Sequence, residues 1–141
     1  MNFEDARPFM EKNHKGVVTS LRPDGTAQSS VIVCGAYEDC AAFVIVRGWS
    51  VKLGNLRKNP QCTVLYVTPD WRTWLTVEGK ARLFDYENTE KETMRVMFRE
   101  VFRACGDSDH PDWEEYDQAM IDQGAVAVLV TPERVYGRLP A

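Results

Sequence analysis

The sequence predicts a mainly β fold of the α+β class: a small antiparallel β-barrel with short helices outside it. Segments rich in β-branched and aromatic residues follow one another through short turns, without the crossover helices that parallel strands need. One short basic helix interrupts this succession, and two longer helical patterns precede the last strand. A length of 141 residues and a hydrophobic content of 44% fit a single domain over residues 1–141.

The first third of the chain predicts a short helix followed by three strands. Residues 5–13 form the helix, with Asp5 as its N-cap. Residues 16–22 and 26–37 form two strands, joined by a turn that the sequence Pro-Asp-Gly favours. Residues 41–47 are almost entirely apolar, which predicts a third strand covered on both faces. Three consecutive strands indicate a meander.

The middle of the chain predicts a helix between two strands. Residues 49–59 form the helix, and Ser50 opens it. Residues 61–68 and 72–84 form the strands on either side. Gly79 interrupts the second of them, which indicates a bulge or a close approach of two backbones.

The last third predicts two helices and the final strand. Residues 88–105 form the clearest helix, because apolar residues recur at intervals of three and four while charges fill the opposite face. A second helix runs from Asp112 to Gly124, and residues 125–131 form a buried strand that continues towards residue 139. The total is a six-stranded antiparallel barrel. The apolar side chains predicted to face the core from the helix at residues 88–105 are Met94, Met97, Phe98, Val101, Phe102 and Cys105.

The charges are distributed unevenly along a chain whose net charge is −4. Residues 47–60 carry four basic and no acidic side chains, whereas residues 85–123 carry twelve acidic and four basic ones. A general nucleic-acid binder spreads its Lys and Arg over a face, so this distribution argues against one. It favours a small anion site in the basic segment and a solvated acidic surface on the helices.

The sequence indicates neither a metal site nor a set of catalytic residues. The chain has four cysteines without a C-x-x-C pair, and its two histidines have no Ser, Asp or Cys partner at a recognisable spacing. The cysteines are expected to be reduced and buried. The longest apolar run, residues 40–46, is too short for a membrane helix, and the acidic N-terminus is unlike a secretory signal. We therefore expect a cytoplasmic protein.

The start of the helix at residues 49–59 is the candidate anion site. A helix that follows a strand presents free backbone N–H groups and the positive end of its dipole. Ser50 and Lys52 add a hydroxyl and an ammonium group to the first turn, which suits a phosphate. A second interpretation, equally compatible with the residues, makes Ser50 an ordinary N-cap and Lys52 a solvated charge.

Five segments carry motifs in a characteristic order. They are residues 19–30 in the first hairpin, S-x-K-x-x-N-L-x-x-N-P from Ser50, V-E-G-x-A from Val77, and residues 112–120 and 135–137. Together they resemble the split β-barrel family of the pyridoxamine 5′-phosphate oxidases and the flavin/deazaflavin-dependent oxidoreductases. The last two segments are similar to the mycobacterial-type subgroup that uses coenzyme F420. The resemblance implies a split barrel of the FMN-binding type.

The resemblance also implies a homodimer with two cofactor sites at the subunit interface. The cofactor would be coenzyme F420, or FMN as the alternative, and it would exchange a hydride with a small conjugated or aromatic acceptor. Ser50 and Lys52 would hold its phosphate, and its ring would lie against the second and third strands. The residues of the implied site are Gln28, Ser30, Val46, Arg47, Ser50, Lys52, Leu53, Asn55 and Trp74.

One position departs from the family pattern. The family usually has an arginine one or two positions before the lysine, where this chain has Ser50 and Val51. Arg47 or Arg57 would have to supply the guanidinium instead. Without it the cofactor would bind weakly, so a non-catalytic protein that binds flavin, deazaflavin or haem stays an alternative. Within this alternative, haem is less favoured as the ligand than a flavin or deazaflavin, because neither histidine falls in the strands that would line the pocket.

Overall fold

The computed structural model describes residues 1–140, which form four helices and seven strands. The helices are α1 (Phe3–Met10), α2 (Val51–Lys58), α3 (Lys91–Gly106) and α4 (Trp113–Asp122). The strands are β1 (Lys15–Leu21), β2 (Ala27–Val33), β3 (Gly35–Tyr37), β4 (Cys40–Ile45), β5 (Gln61–Val67), β6 (Trp74–Phe84) and β7 (Val126–Arg138). None of the four helices combines the length and the hydropathy needed to cross a membrane.

All seven strands belong to one antiparallel sheet with the order β2-β1-β5-β6-β7-β4-β3. β2 and β3 stand at opposite ends of this order, yet only Cys34 separates them in the chain. The sheet therefore curls until its two ends meet, which makes a barrel. β2 pairs with β1 and β4 pairs with β7, but no ladder joins β2 to β4 among these strands, so the barrel is split there. The predicted barrel is confirmed, with seven strands instead of six.

The seventh strand arises because the predicted strand 26–37 is divided at Cys34. The residues before Cys34 pair with β1, and the residues after it pair with β4. Cys34 itself is fully buried, and its backbone N–H donates to the carbonyl of His14 at 2.8 Å. The chain thus passes from one end of the sheet to the other within a single residue.

A polar residue occupies the N-cap position of each of the four helices. Ser50 and Asp112 occupy the N-cap positions of α2 and α4, as the sequence predicts. The first predicted helix start is wrong: Asn2 is the N-cap of α1, and Asp5 accepts from the backbone N–H of Asn2 in a capping box. α3 begins later than predicted because Glu90 caps it, accepting from two backbone N–H groups of the first turn.

Gly79 permits a close approach of β6 and β7, as predicted. The register of the two strands shifts between Glu78 and Gly79. A Cβ atom on Gly79 would lie 1.8 Å from the carbonyl oxygen of Thr131, so a side chain at this position would collide with the neighbouring strand. β7 runs through this irregularity as one strand, which joins the predicted last strand to its continuation.

The main hydrophobic core fills the barrel, and two smaller ones lie under the helices. Tyr66, Phe43 and Leu75 are among the largest fully buried side chains of the barrel interior. α3 and α4 cover the outer face of β4 and β7, where Phe98 and Met94 of α3 are buried. This position brings α3 next to the split between β2 and β4. All four cysteines are buried and none forms a disulfide.

Candidate functional site

A cleft of about 590 Å³ lies at the split between β2 and β4. This volume is in the range of pockets that enclose cofactor-sized molecules. α2 begins at one end of the cleft, and α3 and α4 form the other end. Its two long sides are lined by Val31, Ile32 and Val33 of β2, and by Val44 and Ile45 of β4 with the following Val46.

The end of the cleft beside α2 is cationic. Arg47, Ser50 and Lys52 line it. Ser50 is the N-cap of α2, and Lys52 lies in the first turn, which holds no acidic residue. The free N–H groups and the positive dipole end of α2 add to the same field. This end of the cleft therefore suits an anion such as a phosphate group.

Two serine hydroxyls next to the cleft have no hydrogen-bond partner among the described residues. An N-cap serine normally accepts from a backbone N–H of the first turn, but the Ser50 side chain makes no such bond and its Oγ is buried. Ser30 Oγ, beside the cleft-lining Val31 on β2, is buried and unpaired as well. An unsatisfied buried polar group costs about 1–3 kcal/mol. A bound ligand with oxygen acceptors would satisfy the Ser50 hydroxyl, which lines the cleft, so the donor set at the start of α2 fits a phosphate-bearing cofactor.

The structure places the predicted site residues in two groups. Those that line the cleft are Val46, Arg47, Ser50 and Lys52. Those outside its lining are Gln28, Ser30, Leu53, Asn55 and Trp74. Leu53 is 1% exposed in the barrel core, and the Trp74 ring stands edge to face on Tyr136 at 6.1 Å. A contact between any of these residues and a cofactor stays a prediction.

Gln28 and Asn55 are linked to each other through Ser20. Asn55 Nδ2 donates to Ser20 Oγ at 3.1 Å, and Ser20 Oγ donates to Gln28 Oε1 at 3.2 Å. Asn55 and Ser20 are both buried. The network joins α2 to β1 and β2, so it fixes the position of α2 beside the cleft.

Arg47 and Arg57 differ in their access to the cationic end. Arg47 is part of the cleft lining. Arg57 lies near the last turn of α2, where its guanidinium is 3.5 Å from the carboxylate of Asp85 and faces a separate groove. Of the two, Arg47 is therefore the guanidinium placed beside Ser50 and Lys52.

The apolar end of the cleft was not predicted from the sequence. It is lined by Val101, Phe102, Cys105 and Gly106 of α3 and by Tyr116 of α4. Three of these α3 residues belong to the stripe that predicted a core-facing side. Residues of α3 that face the core and residues of α3 that face the cleft recur at the same intervals. The sequence pattern therefore cannot show which of them line the cleft.

Aromatic rings stiffen this apolar end. We call the rings of Phe102, His110, Trp113 and Tyr116 the aromatic cluster. Phe102 meets Tyr116 at 5.1 Å and Trp113 at 5.5 Å, both edge to face. The guanidinium of Arg103 lies 4.9 Å from the centre of the Trp113 ring. These contacts hold the rings in fixed orientations, so the apolar wall is formed before any ligand arrives.

The polar atoms at the apolar end are already used within the protein. The Tyr116 hydroxyl donates to the carbonyl of Phe98 at 3.0 Å, and the Cys105 thiol donates to the carbonyl of Ala42 at 3.5 Å. Burial raises the pKa of Cys105 to about 12 and also raises the pKa of Tyr116 above its usual value. Both side chains are therefore uncharged near neutral pH.

The two histidines are engaged outside the lining of the cleft. His14 bonds to Asp107 through Nε2 at 2.6 Å and to the carbonyl of Cys34 through Nδ1 at 2.9 Å. His110 Nδ1 accepts from the backbone N–H of Asp112 at 3.0 Å. Residues 1–140 hold no group of three or more His, Cys, Asp or Glu side chains placed to bind a metal ion. The lining of the cleft thus offers cations, one free hydroxyl and an apolar wall.

Known proteins share this fold. A family model described as pyridoxamine 5′-phosphate oxidase matches residues 3–139. A conserved hypothetical protein from Mycobacterium tuberculosis is 17% identical over 100% of this chain and 90% of that chain, with a TM-score of 0.77. A protein described as an F420 reductase is 17% identical over 92% of this chain and 94% of that chain, with a TM-score of 0.62. The heme binding protein from Mycobacterium smegmatis is 15% identical over 96% of this chain and 52% of that chain, with a TM-score of 0.69.

Proposed function

We propose that this chain, which belongs to the pyridoxamine 5′-phosphate oxidase family, is an oxidoreductase. It binds a phosphate-bearing flavin or deazaflavin in the cleft. The observation that carries the proposal is the cationic end, where Ser50 and Lys52 meet the start of α2. The unpaired Ser50 hydroxyl gives that end an unused hydrogen-bond donor. The family match covers all the elements that form the cleft.

In this proposal coenzyme F420 is the cofactor, and FMN is the alternative. When bound and reduced, either cofactor supplies a hydride to a small conjugated or aromatic acceptor. Arg47, Ser50 and Lys52 bind the phosphate, and the valines of β2 and β4 orient the ring and keep water away from it. The similarity in fold to a protein described as an F420 reductase supports the choice of coenzyme F420.

The rim of the cleft supports a homodimer. Val31 is 83% exposed, Val33 58% and Val46 45%, and Trp49 and Val51 beside them are exposed as well. β2 also ends the sheet order, so its outer edge has no strand partner in the sheet. We propose that a second copy covers this apolar rim. Sedimentation should then show a dimer that Val31→Asp converts to a monomer, and a monomeric wild-type chain would contradict the assignment.

The cofactor proposal is tested by titration with FMN and with coenzyme F420. Lys52→Ala removes a charged partner of the phosphate, so the dissociation constant for both should rise roughly 10- to 100-fold. Lys58→Ala is the matched control, because Lys58 is a lysine of the same helix that does not line the cleft. Ligand and tryptophan fluorescence would report both titrations. Equal affinities of the wild type and Lys52→Ala would refute the placement of the phosphate.

A second candidate function is a non-catalytic carrier of flavin, deazaflavin or haem. Ser50 and Val51 stand at the two positions where the family usually has an arginine, and the lack of that arginine favours weaker or altered binding. The fold is also shared with a heme binding protein from Mycobacterium smegmatis, of which this chain covers 52%. Saturable binding without turnover of quinones, enones or nitro-aromatic compounds would support the carrier. Oxidation of the bound reduced cofactor by any of these compounds would support the enzyme.

A further inference from the structure

The two ends of the cleft differ in the charge that they tolerate. The end beside α2 carries Arg47 and Lys52, whereas none of the residues 1–140 that line the α3–α4 end has a charged side chain. Two arginines near the aromatic cluster are already paired with acidic side chains: Arg99 bonds to Asp117 at 3.0 Å, and Arg103 bonds to Asp109 at 2.6 Å. An ion placed at the α3–α4 end would lose hydration without gaining a free partner.

The described residues that line the α3–α4 end also include no free hydrogen-bonding side chain. Its hydroxyl and its thiol, on Tyr116 and Cys105, donate to backbone carbonyls of the protein itself. What remains for a ligand is the Phe102 ring with Val101 and the aliphatic wall of β4. Such a surface recognises its ligand by shape and apolar contact.

The geometry points to a role for this end within the proposed function, on which the inference rests. We propose that the hydride acceptor binds at the α3–α4 end, that this end selects flat, uncharged aromatic or conjugated molecules, and that Phe102 determines this specificity. The cofactor phosphate then occupies the opposite end, at Ser50 and Lys52. In the reaction the acceptor gains a hydride from the reduced cofactor and a proton from water, and the cofactor is oxidised by the same two electrons.

Gly106 allows a steric test that leaves the core intact. It is the last residue of α3 and lines the cleft, and a Cβ atom built on it meets nothing within 4 Å. Gly106→Leu should therefore fold normally and fill the α3–α4 end. Gly54→Leu is the matched control, because Gly54 is also helical and has open space around it but does not line the cleft.

The probe is duroquinone, an uncharged flat quinone with no free ring position for addition of a thiol. Trp113 reports its binding, because that ring lies 5.5 Å from Phe102 and a quinone nearby quenches tryptophan fluorescence. We expect saturable quenching that Trp113→Phe largely removes. Gly106→Leu should raise the dissociation constant of duroquinone at least about tenfold, and Phe102→Leu should raise it roughly 3- to 10-fold.

FMN titration of the same variants separates the two ends. Gly106→Leu, Phe102→Leu and Gly54→Leu should leave FMN affinity unchanged, and Lys52→Ala should weaken FMN but not duroquinone. Unchanged duroquinone affinity in Gly106→Leu would overturn the inference. Weaker FMN binding in Gly106→Leu would overturn it too, because the α3–α4 end would then hold the cofactor ring. If neither FMN nor coenzyme F420 binds the wild type, the cofactor proposal fails, while the Gly106→Leu titration still decides whether a flat neutral ligand occupies this end.

Discussion

The hydroxyl of Tyr66 donates to the backbone carbonyl of Gly35 at 2.6 Å inside the barrel. Tyr66 lies on β5, the third strand in the sheet order, and Gly35 begins β3, the last one, so the bond ties β5 to the hairpin at the end of the sheet. Tyr66→Phe keeps the ring but removes this donor. We expect the free energy of unfolding to fall by about 1–3 kcal/mol, measured by urea unfolding.

Tyr37→Phe is the control for that measurement. The Tyr37 hydroxyl donates to Glu100 at 3.1 Å in an exposed position, where water replaces a lost partner. Its removal should change the free energy of unfolding by less than about 0.5 kcal/mol. Equal losses in the two variants would show that the bond between Tyr66 and Gly35 contributes nothing specific.

The buried thiols predict a loss of stability at alkaline pH. Burial raises the pKa of Cys62 to about 12, whereas a thiol in the unfolded chain ionises near pH 8.5. The stabilisation is therefore complete below about pH 8.5 and is lost as the pH rises towards 12, because the unfolded state releases its proton first. Between about pH 8.5 and pH 12, each buried thiol with a raised pKa should lower the free energy of unfolding by up to about 1.4 kcal/mol per pH unit. Urea midpoints of the wild type and Cys62→Val at pH 8 and pH 10 test this, and the variant should lose less.

Two glycine substitutions should change stability in opposite directions. Gly79→Ala would place its Cβ atom 1.8 Å from the Thr131 carbonyl, so we expect a loss of more than about 3 kcal/mol or a failure to fold. Gly54→Ala adds a methyl group in open space on α2 and should stabilise the protein by about 0.5–1 kcal/mol. Thermal melting of both variants measures the difference. A stable Gly79→Ala would mean that β6 and β7 are farther apart than described.

Asn55→Ala tests whether this residue supports α2 or contacts the ligand. The buried Asn55 side chain donates to Ser20, so its loss should lower the free energy of unfolding by about 1–3 kcal/mol. FMN affinity should fall less than in Lys52→Ala, because only the support of α2 is weakened. A fully stable Asn55→Ala that binds FMN as weakly as Lys52→Ala would instead make Asn55 a direct contact.

The cationic end of the cleft was predictable because its signals are local. A serine cap, a lysine two residues later and a preceding apolar strand lie within one short segment, and the structure places Ser50 and Lys52 together as that spacing requires. Gly79 was predictable for a similar reason, since a lone glycine in a strand has few explanations. Both conclusions needed only the geometry of a single element.

The rest of the cleft comes from segments that are distant in the chain, and no local pattern records such meetings. Val31 and Phe102 line the same cleft only because the sheet curls and α3 packs against its split. The division of the predicted strand at Cys34 was missed because the residues on both sides of it favour extended backbone. Leu53 and Asn55 were assigned to the site by the family resemblance; both are buried residues of α2 outside the lining of the cleft, and their contact with a cofactor stays a prediction.

The pairing of β4 with β7 decides when the cleft can exist during synthesis. Val44 of β4, which lines the cleft, pairs with Ala127 of β7, and five of the nine other elements (α2, β5, β6, α3 and α4) are made between them. A nascent chain therefore carries β4 without its main partner until β7 leaves the ribosome, and its apolar residues then need another cover. Non-local closure of this kind is slow. Before β7 pairs with β4 the barrel is incomplete, and the cleft is not yet formed. A ligand therefore binds only after the sheet is complete and cannot guide the earlier steps of folding.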